Sequence, residues 1–196
     1  MDKHSKKAII IAATFIFTIL IIILSMLIFS FIGELKKQQD IEYVSAETNL
    51  DKVQENLENS NNIDDVYVKI DGNNVVGNIE IEKIGFKGVI YEGTSMDVLD
   101  NGIGHFSSTP IFNGNVCLAG HNYYGIWDKL HTLEQGDIIK YTSVLGSCNY
   151  SVCEVKQIDE TDMSVLENSE ENMLTLITCV RNVPEKRLCV RALSMD

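Results

Sequence analysis

No Cys-x-x-Cys pair occurs in this sequence, and neither does a Gly-rich phosphate loop, a paired-carboxylate motif or an internal repeat. The first absence removes a thioredoxin-type redox site and a tight zinc knuckle. The second removes nucleotide chemistry of the P-loop kind. Positive charge is scarce as well: residues 34–196 carry 13 basic side chains against 27 acidic ones, a net of −14. A domain so acidic suits neither nucleic acid nor an anionic membrane surface. The charge accounts for solubility and names no substrate.

Charge of either sign is missing from Ala8 to Ile32, AIIIAATFIFTILIIILSMLIFSFI. At about 1.5 Å per residue a helix of that length crosses a hydrocarbon core of about 30 Å with some tilt. A cleaved signal peptide has an apolar region of only about 7–15 residues. The nearest small-x-small site, Val44-Ser45-Ala46, lies a dozen residues downstream, so a retained signal-anchor over 8–33 is expected. Lys3, Lys6 and Lys7 precede the span and Lys36 and Lys37 follow it, so residues 1–7 are expected in the cytoplasm and the chain after the span outside.

Residues 34–65 are polar and acidic, and contain no Gly or Pro. Leu50, Val53 and Leu57 stand at helical spacing in TNLDKVQENLE, so a partly helical stalk is expected here. From Val66 the pattern changes. VYVKI and NVVGNIEIE flank Asp71-Gly72, a hairpin signal, and KGVIY, NVCLAGH, DIIKYTSV, NYSVCEVKQI, MLTLITC and KRLCVRAL follow at near-regular spacing. Short helical candidates fall around 96–99, 124–130 and 161–166. Residues 66–196 therefore read as an all-β barrel or sandwich with a few short helices, not a βαβ sheet.

Five cysteines, 117, 148, 153, 179 and 189, leave one thiol over in an exported domain with no intermolecular bridge. A cysteine in a β-rich run is usually a small buried hydrophobe, and Cys117, Cys153 and Cys189 fit that description. Cys179 differs: the apolar run LTLIT stops at it, and Arg181 and Arg187 follow within eight residues. A thiol attacks as thiolate, and a guanidinium can hold a developing oxyanion. Of the histidines outside the cytoplasmic segment, His121 ends the apolar strand NVCLAGH, His105 has a similar Gly-flanked setting in GIGHF, and His131 reads as solvated surface.

In these motifs the chain resembles the sortases, over roughly Val76 to Leu193. TLITC (175–179) resembles their TLxTC signature. Arg187-Leu188-Cys189-Val190 fits their Arg followed by two residues and Val, and Gly120-His121 fits their GH pair after an apolar strand. GNIEIEKIG and GIGHFSST resemble the opening strand and the GxGHxxxT segment. The short Cys-to-Arg loop, the ending RLCVRA and the N-terminal anchor are most similar to class D. Two features depart from the family pattern: Glu82-Lys83 stands where a Pro is usual, and the turn before Gly114-Asn115 is altered.

The resemblance implies a closed sortase-type β-barrel of about eight strands after one N-terminal transmembrane helix. It implies Cys179, His121 and Arg187 as catalytic residues, with His105, Asn122 and Thr178 as further groove candidates. The reaction would be transpeptidation of an LPxTG-like sorting motif in another exported protein, cleaved after Thr. An amine of a cell-wall precursor or cross-bridge would accept the acyl group, with no cofactor and no metal. Two other readings stand beside it: a thiol peptidase hydrolysing the same acyl-enzyme, and a membrane-tethered binding or scaffold protein with Cys179 buried. A structural zinc site from His121 and Cys179 is the weakest option, for want of a tight ligand pair.

Overall fold

The computed structural model describes residues 14–37, 69–70, 73–123 and 125–195. The chain falls into two units, Met1–Gln39 and Asp40–Asp196. In the first, helix α1 (Thr14–Lys37) is long and apolar enough to cross a membrane, and its large apolar side chains from Phe15 to Phe31 are exposed. Thr18 donates its hydroxyl to the carbonyl of Phe15 and Ser25 to that of Ile22, so neither asks for a partner outside the helix. The helix runs four residues past the expected end of the span. Glu34, Leu35, Lys36 and Lys37 are all good helix formers, and the two lysines sit at the favourable end of the helix dipole. The expected stalk helix at 48–58 lies outside the described residues.

In the second unit, the period-2 runs become nine strands: β1 (Lys69–Ile70), β2 (Asn73–Ile81), β3 (Phe86–Glu92), β4 (Ile103–His105), β5 (Asn115–Ala119), β6 (Ile138–Ser143), β7 (Gly146–Asp159), β8 (Met173–Val180) and β9 (Val183–Ser194). They hydrogen-bond in the order β1-β2-β3-β4-β5-β8-β9-β7-β6, and β6 pairs again with β2. The circuit from β2 back to β2 is an eight-stranded closed barrel, as expected, with β1 appended to β2 through Ile70 opposite Asn73. At the closing seam Gly77 faces Ser143, and a Cβ there would drive into the backbone of Thr142. Only glycine lets β2 and β6 approach so closely.

Of the three helical candidates, residues 96–99 become α2 (Met96–Asn101), capped by the hydroxyl of Ser95 accepting from Val98 N. Of the second candidate, residues 125–129 form a turn that runs into the 3-10 segment Leu130–Thr132, and the third ends in the 3-10 segment Met163–Leu166. The barrel interior is filled by aliphatic side chains such as Ile79, Ile90, Ile139 and Leu174, all fully buried, and by Trp127, whose ring meets Phe86 edge to face at 6.3 Å.

Two parallel strands, β5 and β8, set the stage for the candidate site, in register from Asn115↔Met173 to Ala119↔Ile177. Their starting ends are locked by the buried side chain of Asn115. It donates to the carbonyls of Val165 (2.9 Å) and Glu167 (2.8 Å) and accepts from the Thr175 hydroxyl (2.7 Å). Every polar atom of that amide but the second lone pair is used, which makes the register hard to slip.

Candidate active site

Two residues past the last register pair, the two strands deliver His121 and Cys179 side by side at one rim of the barrel. Three hydrogen bonds continue the zipper there. Gly120 N donates to the carbonyl of Ile177 (3.2 Å), the Thr178 hydroxyl to the carbonyl of Gly120 (2.7 Å), and the Asn122 amide to the carbonyl of Cys179 (2.7 Å). Gly120 itself packs against Trp127 and Ile103, where a Cβ would lie 2.7 and 2.8 Å from their side-chain atoms. The backbone carrying His121 is thus pressed onto the core and tied to the backbone carrying Cys179.

Cys179 is the one exposed cysteine of the five, and all five thiols are free. Cys117 and Cys189 are buried, which pushes their thiols up to about 12 and about 11. Burial also raises Cys153, which is half-buried. These three behave as small apolar residues, as expected from their runs. Cys148 and Cys153 are not bridged.

Arg187 lies directly across the β8–β9 ladder from Cys179, so both side chains leave the sheet on the same side. Beyond that pair the register jumps: Val180 faces Val183 around a tight turn with Asn182 at φ 63°, and Pro184, Glu185 and Lys186 bulge outward. The guanidinium fills the bulge. Its Nη1 donates to the carbonyls of Pro184 (2.7 Å) and Lys186 (2.9 Å), and its Nη2 pairs with Glu160 Oε2 at 2.9 Å. Three of five N–H donors are spent, leaving two. Arg181, on the turn, is exposed and makes no ion pair among the described residues.

His121 is partly exposed and stacks on Tyr123, with ring centroids 4.9 Å apart and planes 25° from parallel. Its Nε2 edge faces Asp100 Oδ1 at 3.2 Å. Of the remaining groove candidates, Asn122 lies at the rim, while Thr178 is buried and its hydroxyl is already bonded. His105 is 1% exposed. Its Nδ1 pairs with Glu92 at 2.9 Å, and its Nε2 meets the Pro110 carbonyl and the Thr109 hydroxyl, each at 3.2 Å. No face of that ring is left for a substrate; it holds β3, β4 and the following loop together. His131 is exposed, as expected.

Sequence reasoning did not single out Asp100, Tyr123 or Glu160. Asp100 lies 21 residues before His121, and Glu160 lies 27 before Arg187, so no local pattern links either to its partner. Tyr123 follows His121 by two residues, yet stacking at that separation depends on the loop conformation.

A reachable thiol, an imidazole on the adjacent strand and a guanidinium across the ladder make up the parts of a nucleophilic acyl-transfer site. Residues 79–195 match the sortase domain family model. Sortase D of Bacillus subtilis (strain 168) is 32% identical over 118 residues, covering 56% of this chain and 59% of that protein. Sortase A of Listeria monocytogenes is 32% identical over 109 residues, covering 54% and 49%. The match thus spans about half to three-fifths of the length of these relatives. The solved structure of sortase A from Corynebacterium diphtheriae superposes with a TM-score of 0.59 at 27% identity, over 63% of this chain and 62% of that one. With the family model matching well over half of its length and the same barrel around it, the chain belongs to the sortase family.

Proposed function

We propose that this chain is a membrane-anchored cysteine transpeptidase that cleaves an LPxTG-like sorting motif after Thr and transfers the acyl group to a cell-wall amine. The observation that supports this reading is the register: β5 and β8 lead side by side to His121 and Cys179, Arg187 is the cross-strand partner of Cys179, and Cys179 is the one exposed thiol. Cys179 gives its thiol proton to His121 and its Sγ attacks the Thr carbonyl carbon, and the tetrahedral oxyanion is held by the two guanidinium N–H groups of Arg187 not spent on Pro184, Lys186 and Glu160. His121 gives its proton to the departing amine as the C–N bond breaks, leaving a thioester. An amine nucleophile then attacks the thioester, His121 takes its proton, and the thiolate leaves. Asn122 and Thr178 serve by fixing the two strand ends relative to each other.

The apolar α1 helix supports anchoring, and the lysine bias around it supports a cytoplasmic N-terminus with the barrel outside the cell. An anchored enzyme so placed meets exported proteins as they leave the membrane.

The test is mass spectrometry of the full chain in detergent with a panel of sorting-motif peptides, with and without an amine acceptor. A peptide–amine adduct, a thioester trapped on Cys179 and silence of Cys179→Ala are expected. Cleavage that ignores the amine and yields only the free acid would make the protein a peptidase. Cleavage surviving Cys179→Ala would refute the nucleophile. His121→Ala is expected to slow acylation and resolution alike, and normal acylation by that variant would remove His121 from the mechanism.

A further inference from the structure

Asp100 closes helix α2, a six-residue helix whose N-terminal turn already carries Asp97. A carboxylate in the last turn opposes the helix dipole, so its position does nothing for the helix. The side chain is 63% exposed, and its ion pair with His121 is its only one among the described residues. On the other side, His121 Nε2 is cut off from solvent and has no aligned hydrogen-bond partner. The carboxylate oxygen of Asp100, 3.2 Å away, is the group within ion-pair reach. A buried ring nitrogen facing a carboxylate carries a proton, because a lone pair pointed there would be repelled. With one face of the ring on Tyr123 and Nε2 turned to Asp100, the Nδ1 edge is the one left for chemistry.

We propose that Asp100 is a positioning residue for His121, holding the imidazole with Nε2–H toward α2 and the Nδ1 lone pair toward the thiol of Cys179. The inference rests on the function proposed above for His121, and it adds a residue from a separate element to the site. The titratable groups facing the ring are Asp100 from α2 and Tyr123 from its own loop, while Cys179 lies on β8, the strand in register with the one leading to His121, and Arg187 one strand farther. Among these, Asp100 is the acid at ion-pair distance. Its action is to fix which nitrogen is free and how the ring is turned, the service a carboxylate gives a working histidine in other acyl-transfer sites.

The test compares the full-length chain with Asp100→Ala, Asp100→Asn and Asp100→Glu in detergent micelles. Two readouts are used: steady-state cleavage of a fluorogenic sorting peptide, and the ¹⁵N spectrum of labelled histidine, with His121 assigned by its loss in His121→Gln. Asp100→Ala is expected to lower kcat about tenfold, the lower end seen when an orienting partner of a histidine is removed, with KM unchanged. Its neutral ring should show an Nδ1–H form that the parent chain lacks. Asp100→Asn should be no better, since its amide can donate to Nε2 and support the wrong tautomer, whereas Asp100→Glu should recover most of the rate. Unchanged tautomer signals in Asp100→Ala would overturn the proposal. So would a rate loss that Glu does not recover, or one carried by KM. The nitrogen spectrum needs no substrate, so a parent chain that cleaved no sorting peptide would defeat the proposed function while Asp100 was still being judged.

Discussion

Cys179 and Arg187 form the last regular cross-strand pair of the β8–β9 ladder, and the next pair, Val180 with Val183, comes only after three residues of β9 have bulged out. The bulge gives Arg187 two backbone carbonyls to rest on and Glu160 to pair with, so the guanidinium is held in place on the strand across from Cys179 before any ligand arrives. Arg181 is closer to Cys179 in sequence but sits on the exposed turn.

Arg187→Ala is therefore expected to lose about 2.7–4 kcal/mol of transition-state stabilisation, the scale of one oxyanion donor, and to show it mainly in kcat. Arg181→Ala should stay near the parent rate. Arg187→Lys should be poor as well, because an ammonium cannot occupy two carbonyls and a carboxylate in the planar geometry of the fork. Peptide-cleavage kinetics of the three variants decide this, and equal losses at 181 and 187 would contradict it.

Native alkylation with iodoacetamide at neutral pH should add one carbamidomethyl group, at Cys179. Cys117 and Cys189 are buried and their thiols are pushed up to about 12 and about 11, so neither access nor ionisation favours them. Intact-mass measurement followed by peptide mapping reads the result. Rapid modification of Cys117 or Cys189 without denaturant would mean that the barrel opens more readily than its packing allows.

Gly120→Ala should damage both fold and site. The added methyl meets Trp127 and Ile103 at under 3 Å, and overpacking of a tight core costs typically about 1–3 kcal/mol. The same displacement would pull on the Gly120–Thr178 and Gly120–Ile177 hydrogen bonds, which set His121 against Cys179. A lower Tm with a larger fall in kcat than the melting shift explains is expected. A Tm and a rate equal to those of the parent would show that this contact is slack.

Acid stability should depend on Glu92. Burial pushes its carboxyl up, but hydrogen bonds to His105 and Ser107 and the charge of His105 outweigh that, and the net effect is to hold it below its ordinary value. A carboxyl lowered in the folded state stabilises fully above its unfolded value, and the contribution drains away as pH falls through the folded one. Melting temperature measured against pH should thus fall on the acid side of the ordinary carboxylate range, and Glu92→Gln should melt lower at neutral pH with a flatter acid limb. Parallel curves for the two proteins would show that Glu92 contributes no linkage.

The barrel was legible because its strands alternate or run apolar between Gly, Asn and acidic clusters, and eight of them close as expected. The short helical candidates were legible as places but not as helices: 124–130 and 161–166 hold too few residues to pay the cost of a helical nucleus without packing, and form turns or 3-10 segments. Cys179 stood out because an apolar run stopped at it. His105 and His121 looked alike in sequence, each after a glycine, and only the fold separates a ring buried on Glu92 from one at the rim. Asp100 and Glu160 were invisible because their partners are brought by long-range topology, for which sequence has no local mark.

From β2 to β9 each strand of the barrel has a hydrogen-bonded neighbour on both sides, since β6 returns to β2. An extended polypeptide can add only where a strand edge is left bare, and here closure leaves partial edges: β6 covers β7 over Gly146–Ser151, while Glu154–Asp159 pairs with β9 alone. Along the seam of β2 with β6, from Gly77 to Glu80, the main chain is taken on both sides and offers a passing chain no foothold.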